Sequence, residues 1–381
     1  MKLLSKLSLA RGASLLQVST IGLFNVYEVA QMSAQGLPGK TIGLLLAIEN
    51  GLLLVSGALW GWVADRYGCY RQLVMGSALV LAFTLFWLSS AESVFNFTVY
   101  AVLRGVSMTA MMTVMPALAM ANLKELGPGK SYSKYRVFGS IGFMIGTAIL
   151  PIFFDSITSI LRAASLILPF SLIFIMGLEN PELEEKSVEL SKKSKVLPAV
   201  VWWYLAANFI VSFTEPGNLG FLNDYVIGLG GSPKLIGWYS GMTGFIALIS
   251  LPLMGKWVDA RGVKWVIVFG FLSQVLRPLS ISLIPDPNWL WASHVFHFFG
   301  WAGREVGSIV FMTMLLGERR RAVAVSLVVT IRTAGVMVGS YFMGTWADAV
   351  GYQLMFQRVF FVACLSLPLL YIALRKSDAR D

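Results

Sequence analysis

The sequence predicts an all-α membrane protein: twelve transmembrane helices in two pseudo-symmetric six-helix bundles, with the N- and C-termini cytoplasmic. Three observations carry that prediction. The chain is 56% hydrophobic and only 13% charged over 381 residues, where a soluble protein carries about 25% charged residues. Apolar runs of about 20 residues, the length that crosses a bilayer, recur from end to end. A glycine and aspartate pattern beginning at Gly61 returns half a chain later, which marks an internal duplication.

The elements follow in order. Apolar spans run at approximately 12–34, 42–64, 72–90, 95–120, 133–154, 157–177, 197–222, 235–258, 265–284, 289–315, 322–346 and 354–374. That is about 32 residues per span with its connection, so no soluble catalytic domain fits. The basic start "MKLLSKLSLARGASLLQ" does not read as a cleavable signal peptide, because the apolar run after it is too long and lacks an A-x-A-like cleavage site. It reads as a cytoplasmic N-terminus. The longest polar stretch, "ENPELEEKSVELSKKSK" (179–195), is charged and contains proline. It divides the chain into an N-terminal bundle (1–178), a cytoplasmic linker (179–196) and a C-terminal bundle (197–381). An amphipathic helix on the membrane surface is the other reading of the linker and leaves that division unchanged.

The net charge of +10 raises the question of nucleic acid, and its distribution answers no. Lys40, Arg162, Lys234 and Arg358 fall on the outer side, and Arg104, Arg277, Arg304 and Arg332 lie within spans. The other 22 of the 30 basic residues lie in alternate loops, the span ends beside them and the termini. That is the positive-inside asymmetry of a membrane protein. Cys69 and Cys364 lie near opposite ends of the chain and support neither a metal site nor a disulfide.

A shift of 194 aligns Gly36, Lys40, Ile42, Gly43, Leu54, Ser56, Leu59, Gly61, Asp65 and Gly68 with identical residues, ten over 33 positions without a gap. Apolar helices share leucines by chance, but not glycines and an aspartate in register. A third G-x-x-x-D-x-x-G, "GTWADAVG" (344–351), is expected to face outside, and a degenerate fourth keeps Asp155 in "PIFFD". Glycine lets a neighbouring helix approach closely. The aspartate can accept hydrogen bonds from a helix N-terminus or pair with an arginine. Gly61, Asp65, Arg66, Gly68 and Arg71, with Gly255, Asp259, Arg261 and Gly262, therefore read as a conformational latch.

These residues carry a resemblance. "GWVADRYGCYR" and "GKWVDARG" resemble the loop 2–3 and loop 8–9 signatures of the major facilitator superfamily. "GLPGKTIG" before "GALWGWVADRYG", and "YRVFGSIGF" (135–143), more narrowly resemble its phenylpropionate porter, nucleoside/proton and oligosaccharide/proton symporter branches. Tyr70 and Ala260 depart from the usual basic residues. The resemblance implies two bundles around a central cavity that opens alternately to either side.

A charge in hydrocarbon needs a partner or water. Asn25, Glu28 and Gln31 form a polar face on span one, and Glu49 and Arg104 lie on spans two and four. For Glu28 the readings are substrate or proton binding, or an ion pair with Arg104. Glu215, beside Pro216 and Gly217, marks a kink suited to a gate. Arg304, Glu305 and Arg332 read as an ion network closing the cavity or as an anchor for an anionic substrate. Arg136 is read as a snorkelling or latching residue. By resemblance, Arg277 and His297 match the coupling site of the oligosaccharide/proton symporters, although Gly300 stands where those place a carboxylate. The proton carrier is sought among Glu305, Glu28 and His297, in that order.

The expected function is a secondary active transporter: proton-coupled uptake of a small polar solute (sugar, nucleoside or aromatic/organic acid) by alternating access. The alternatives are proton-antiport efflux of amphipathic compounds and, in another class, a non-transporting membrane receptor or scaffold. No Ser/His/Asp, H-E-x-x-H or CxxC arrangement exists, so an enzyme is not expected. The proton is the expected coupling ion, with no cofactor. The expected partners are a small-molecule solute and the lipid bilayer, without nucleic acid, and the chain is expected to function as a monomer. Short loops favour a multi-pass protein of a bacterial inner membrane.

Overall fold

A computed structural model describes residues 5–123, 128–181, 197–317 and 320–378. The linker expected at 179–196 lies mostly outside the described residues. The described chain is helical: α1 (Lys6–Ala34), α2 (Gly39–Tyr67), α3 (Tyr70–Ser89), α4 (Val94–Asn122), α5 (Pro128–Met144) and α6 (Ile157–Ile175) make the first half. The second half holds α7 (Ala199–Ser212), α8 (Leu222–Gly228), α9 (Pro233–Arg261), α10 (Val263–Leu283), α11 (His294–Leu316), α12 (Arg321–Cys364) and α13 (Ser366–Asp378). Hydroxyl caps start several of them. Ser93, Ser156 and Ser232 accept from the amides of Asn96, Ser159 and Leu235 at 3.3, 3.2 and 3.2 Å, satisfying donors that the first turn leaves free.

Among the described residues, nine segments are long and apolar enough to cross a membrane. The expected spans differ from them in three places, each for a physical reason. The seventh is interrupted: Pro216 lacks an amide proton, and the chain passes through a π-turn (Gly217–Phe221) between α7 and α8. Within the tenth, Pro287–Ser293 winds as a 3-10 turn before α11, whose interior carries His294, His297, Arg304 and Glu305. The eleventh and twelfth join into α12, broken at Gly351, where φ 77° and ψ 166° admit glycine most easily.

The internal repeat is a structural one. Helices α2 and α9 both have 29 residues, and α9 starts and ends 194 positions after α2. Both stop at a positive-φ glycine, Gly68 and Gly262. The halves meet along two matching seams, α2 against α12 and α9 against α5.

The apolar core shows which face is shut. One cluster draws residues from both halves, including Tyr27, Ile42 and Phe97 with Phe213, Tyr225 and Met343. The others stay within one half each. The bundles are therefore fused toward the face opposite the termini and separate toward the terminal face. Hydrogen bonds reinforce the closure. The Tyr27 hydroxyl donates to the Pro233 carbonyl (2.9 Å), and Asn223 Nδ2 donates to that of Val26 (2.8 Å).

The copies of the glycine and aspartate motif stand in different states at the two faces. At the terminal face, Asp65 accepts from the hydroxyl of Tyr70 in its own half, and nothing lies within 4 Å of a Cβ built on Gly61 or Gly255. Arg71 donates to the carbonyls of Met176 and Leu178, again within its half. These copies are disengaged because the bundles have parted there. The third copy is engaged instead: Asp348 accepts from the Gly39 and Lys40 amides at 2.6 and 2.7 Å, capping the start of α2 across the interface. Gly344 faces Gly39 so closely that a Cβ on Gly344 would strike the Gly39 carbonyl. Even the degenerate fourth copy takes part, with Asp155 2.9 Å from Lys234 Nζ at the start of α9.

Candidate functional site

Three polar clusters lie between the helices. In the first half, α4 points Arg104 between two acids. Its Nη1 donates to Glu28 Oε2 on α1 (2.7 Å) and to Glu49 Oε1 on α2, and its Nη2 donates to Asn25 Oδ1 (2.5 Å). The Tyr100 hydroxyl adds a bond to Glu28 Oε2 (2.9 Å), and the Phe24 ring lies 5.2 Å from the guanidinium. Of the two readings of Glu28, the geometry shows the ion pair with Arg104. Glu28, Glu49, Tyr100 and Arg104 are buried and Asn25 is half-buried, and the cluster holds two carboxylates against one guanidinium.

The second cluster is balanced. Arg304 reaches Ser212 Oγ (2.9 Å) and Glu215 Oε1, and Arg332 joins Glu215 Oε2 (3.0 Å) to Glu305 Oε2 (2.6 Å). The sequence suggested a three-member network. Glu215 is its fourth member, because the turn after α7 swings that residue against α11 and α12. Glu305 is 39% exposed in its side chain, the least buried acid of the set.

The third cluster pairs Arg277 Nη1 with His297 Nδ1 at 3.0 Å. An arginine only donates, so Nδ1 accepts, and a neutral His297 carries its proton on Nε2. Trp301 stacks on that imidazole at 6.0 Å and 13°. His294 is held between the carbonyls of Trp291 and Tyr239, both at 3.1 Å, as befits a structural residue. A side chain at Gly300 would displace the Gln274 amide, because its Cβ would stand 2.9 Å from Gln274 Oε1.

One cavity of about 240 Å³ gathers these elements. Asn25, Glu215, Arg277, His297 and Arg332 line it. Glu28, Glu49 and Arg104 lie behind Asn25, while Arg304 and Glu305 lie behind Glu215 and Arg332. Gln31 is buried elsewhere on α1 and does not line it. Arg136, read from sequence as a snorkelling residue, is exposed and lines the cavity. The sequence reading missed Asn218 and Gln274, three residues from Glu215 and from Arg277; that helical spacing was the available signal.

The model of the MFS_1 like family matches residues 11–358. Multidrug resistance protein MdtG of Salmonella arizonae is 23% identical over 263 residues, covering 64% of this chain and 63% of MdtG. MdtG of Enterobacter lignolyticus is 25% identical over 260 residues, covering 64% and 61%. The chain thus spans less than two thirds of these curated relatives. Its fold matches a mutant of the nucleoside transporter NupG with a TM-score of 0.83 at 14% identity, over 97% of this chain and 99% of that one. A POT family transporter in complex with 5-aminolevulinic acid matches with a TM-score of 0.76 at 12% identity, over 98% and 95%. With a family model spanning nearly all of its helices and this fold end to end, the chain is a multi-pass membrane protein that belongs to the MFS_1-like family.

Proposed function

We propose that the protein is a secondary active transporter that takes up a small polar solute with protons by alternating access, as a monomer, in a bacterial inner membrane. The observation that carries the reading is the pair Glu28 and Glu49 on the single guanidinium of Arg104. Two carboxylates against one cation leave an excess negative charge in hydrocarbon, and one proton removes it. Arg104 also holds Asn25, which lines the cavity, so a change in its bonding reaches the solute. The pair displaces Glu305 as the favoured carrier, because Glu305 is partly exposed and already matched by Arg332. In this reading the terminal face is cytoplasmic, and the molecule stands closed to the outside.

Proteoliposomes with a trapped pH dye provide the test. Adding lactose, uridine or a carboxylate outside is expected to carry protons inward with one of these solute classes. Glu28→Gln and Glu49→Gln are expected to abolish that proton entry and retain solute exchange. Unchanged coupling in both variants overturns the assignment. The similarity to MdtG favours a second reading, efflux of amphipathic compounds in exchange for protons. It gains if protons run against the solute.

A further inference from the structure

We propose that the cavity binds a hydroxycarboxylate, with Arg277 holding the carboxylate and the amide oxygen of Gln274, next to that of Asn218, accepting from the hydroxyl. This inference names the solute class of the transport site and rests on that reading.

Among the described residues, Arg104, Arg304 and Arg332 each pair with a glutamate. Arg277 is 2% exposed, lines the cavity and pairs with a histidine. Its Nε and Nη2 have no partner. A buried cation without a counter-charge is costly, and a guanidinium stays protonated at neutral pH, so an anion is the natural complement. Two free N–H groups on one planar fork suit the paired oxygens of a carboxylate.

The neighbouring amides ask for something more. The Thr214 hydroxyl donates to the Val211 carbonyl (2.8 Å), so toward other groups it only accepts. It accepts from Gln274 Nε2 at 3.2 Å and from Asn218 Nδ2 at 3.5 Å. This orients both amides and leaves Gln274 Oε1 and Asn218 Oδ1 without donors. Gln274 is one helical turn before Arg277, and both amides line the same cavity. Unmet donors and unmet acceptors therefore belong to side chains that line one cavity. An inorganic anion or a plain carboxylate answers only the donors, whereas a hydroxycarboxylate answers both. The apolar walls of Val18, Ile21, Phe143 and Trp301 suit an apolar remainder.

Four probes test this on the purified, detergent-solubilised full chain, by equilibrium binding: mandelate, phenylacetate (no hydroxyl), mandelamide (no charge) and inorganic sulfate. Mandelate is expected to bind at least about tenfold tighter than mandelamide, and tighter than phenylacetate and sulfate. Arg277→Gln is expected to erase the preference over mandelamide, and Arg277→Lys to keep part of it. Gln274→Leu is expected to bring mandelate down to phenylacetate. The probe comparison on the unmodified protein needs no variant to fold. Equal binding of mandelamide, a preference for sulfate, or no mandelate binding at millimolar concentration overturns the proposal, and so does equal binding of phenylacetate. Mandelate that binds but never crosses a proteoliposome membrane leaves the binding assignment standing and overturns transport of this solute class.

Discussion

The two halves share a backbone plan but not a charge plan. Helices α2 and α9 match in length and in the glycine that ends each. Yet the first half buries two acids on one arginine, while the second balances two acids on two arginines and keeps Arg277 apart on a histidine. Duplication copied the framework, and the polar residues then diverged. The buried cluster of the first half carries an excess of negative charge and the buried groups of the second an excess of positive charge, while Arg136 adds an exposed cation to the first half's wall of the cavity. That difference is what the proposed uptake of a solute with protons draws on.

The comparison breaks most visibly at Arg104. Arg104→Leu strands two buried carboxylates, and a loss of about 3–5 kcal/mol is expected in the unfolding free energy measured in detergent. Adding Glu28→Gln and Glu49→Gln to it is expected to recover much of that loss. Arg304→Leu tests the balanced side. Glu215 keeps Arg332, so the expected loss is smaller, about 1–3 kcal/mol on the same assay. A larger loss than for Arg104→Leu would show that the balance is misjudged. Asp348→Ala removes two charge-assisted bonds at the sealed face and is expected to shift the conformational equilibrium by about 1–2 kcal/mol. Spin-label distances between α2 and α12 at that face measure it, and unchanged distances would sink the cap as a latch. Glu305→Gln is expected to matter least, at about 1 kcal/mol or less, because the pair it loses is partly exposed.

Much of this was legible in the sequence, and the rest was hidden for identifiable reasons. Apolar run length and the 194-residue repeat exposed the helices and the two-half plan, since both are periodic properties of the chain. Intramembrane charge exposed Arg104, Arg277, Glu215 and their neighbours, because such residues are too costly to be idle. Pairing was harder. Glu215 meets Arg304 only because a π-turn redirects the chain after Pro216, and a one-dimensional pattern does not carry that rotation. Uncharged Asn218 and Gln274 gave no cost signal at all. The latch motif was found in all its copies, but which copies are engaged depends on conformation, and a sequence encodes both conformations at once.

The glycines of the α2–α12 seam have a consequence for energy conservation. At Gly39, Gly43 and Gly344 a single methyl group would strike an oxygen of the opposite half, the carbonyls of Gly344, Ser340 and Gly39 respectively. One carbon atom at any of them would act as a doorstop. A coupled pump is useful only while one door is shut before the other opens. Under the proposed coupled transport, alanine at these positions is expected to keep the sealed face from closing and to turn the carrier toward a leak.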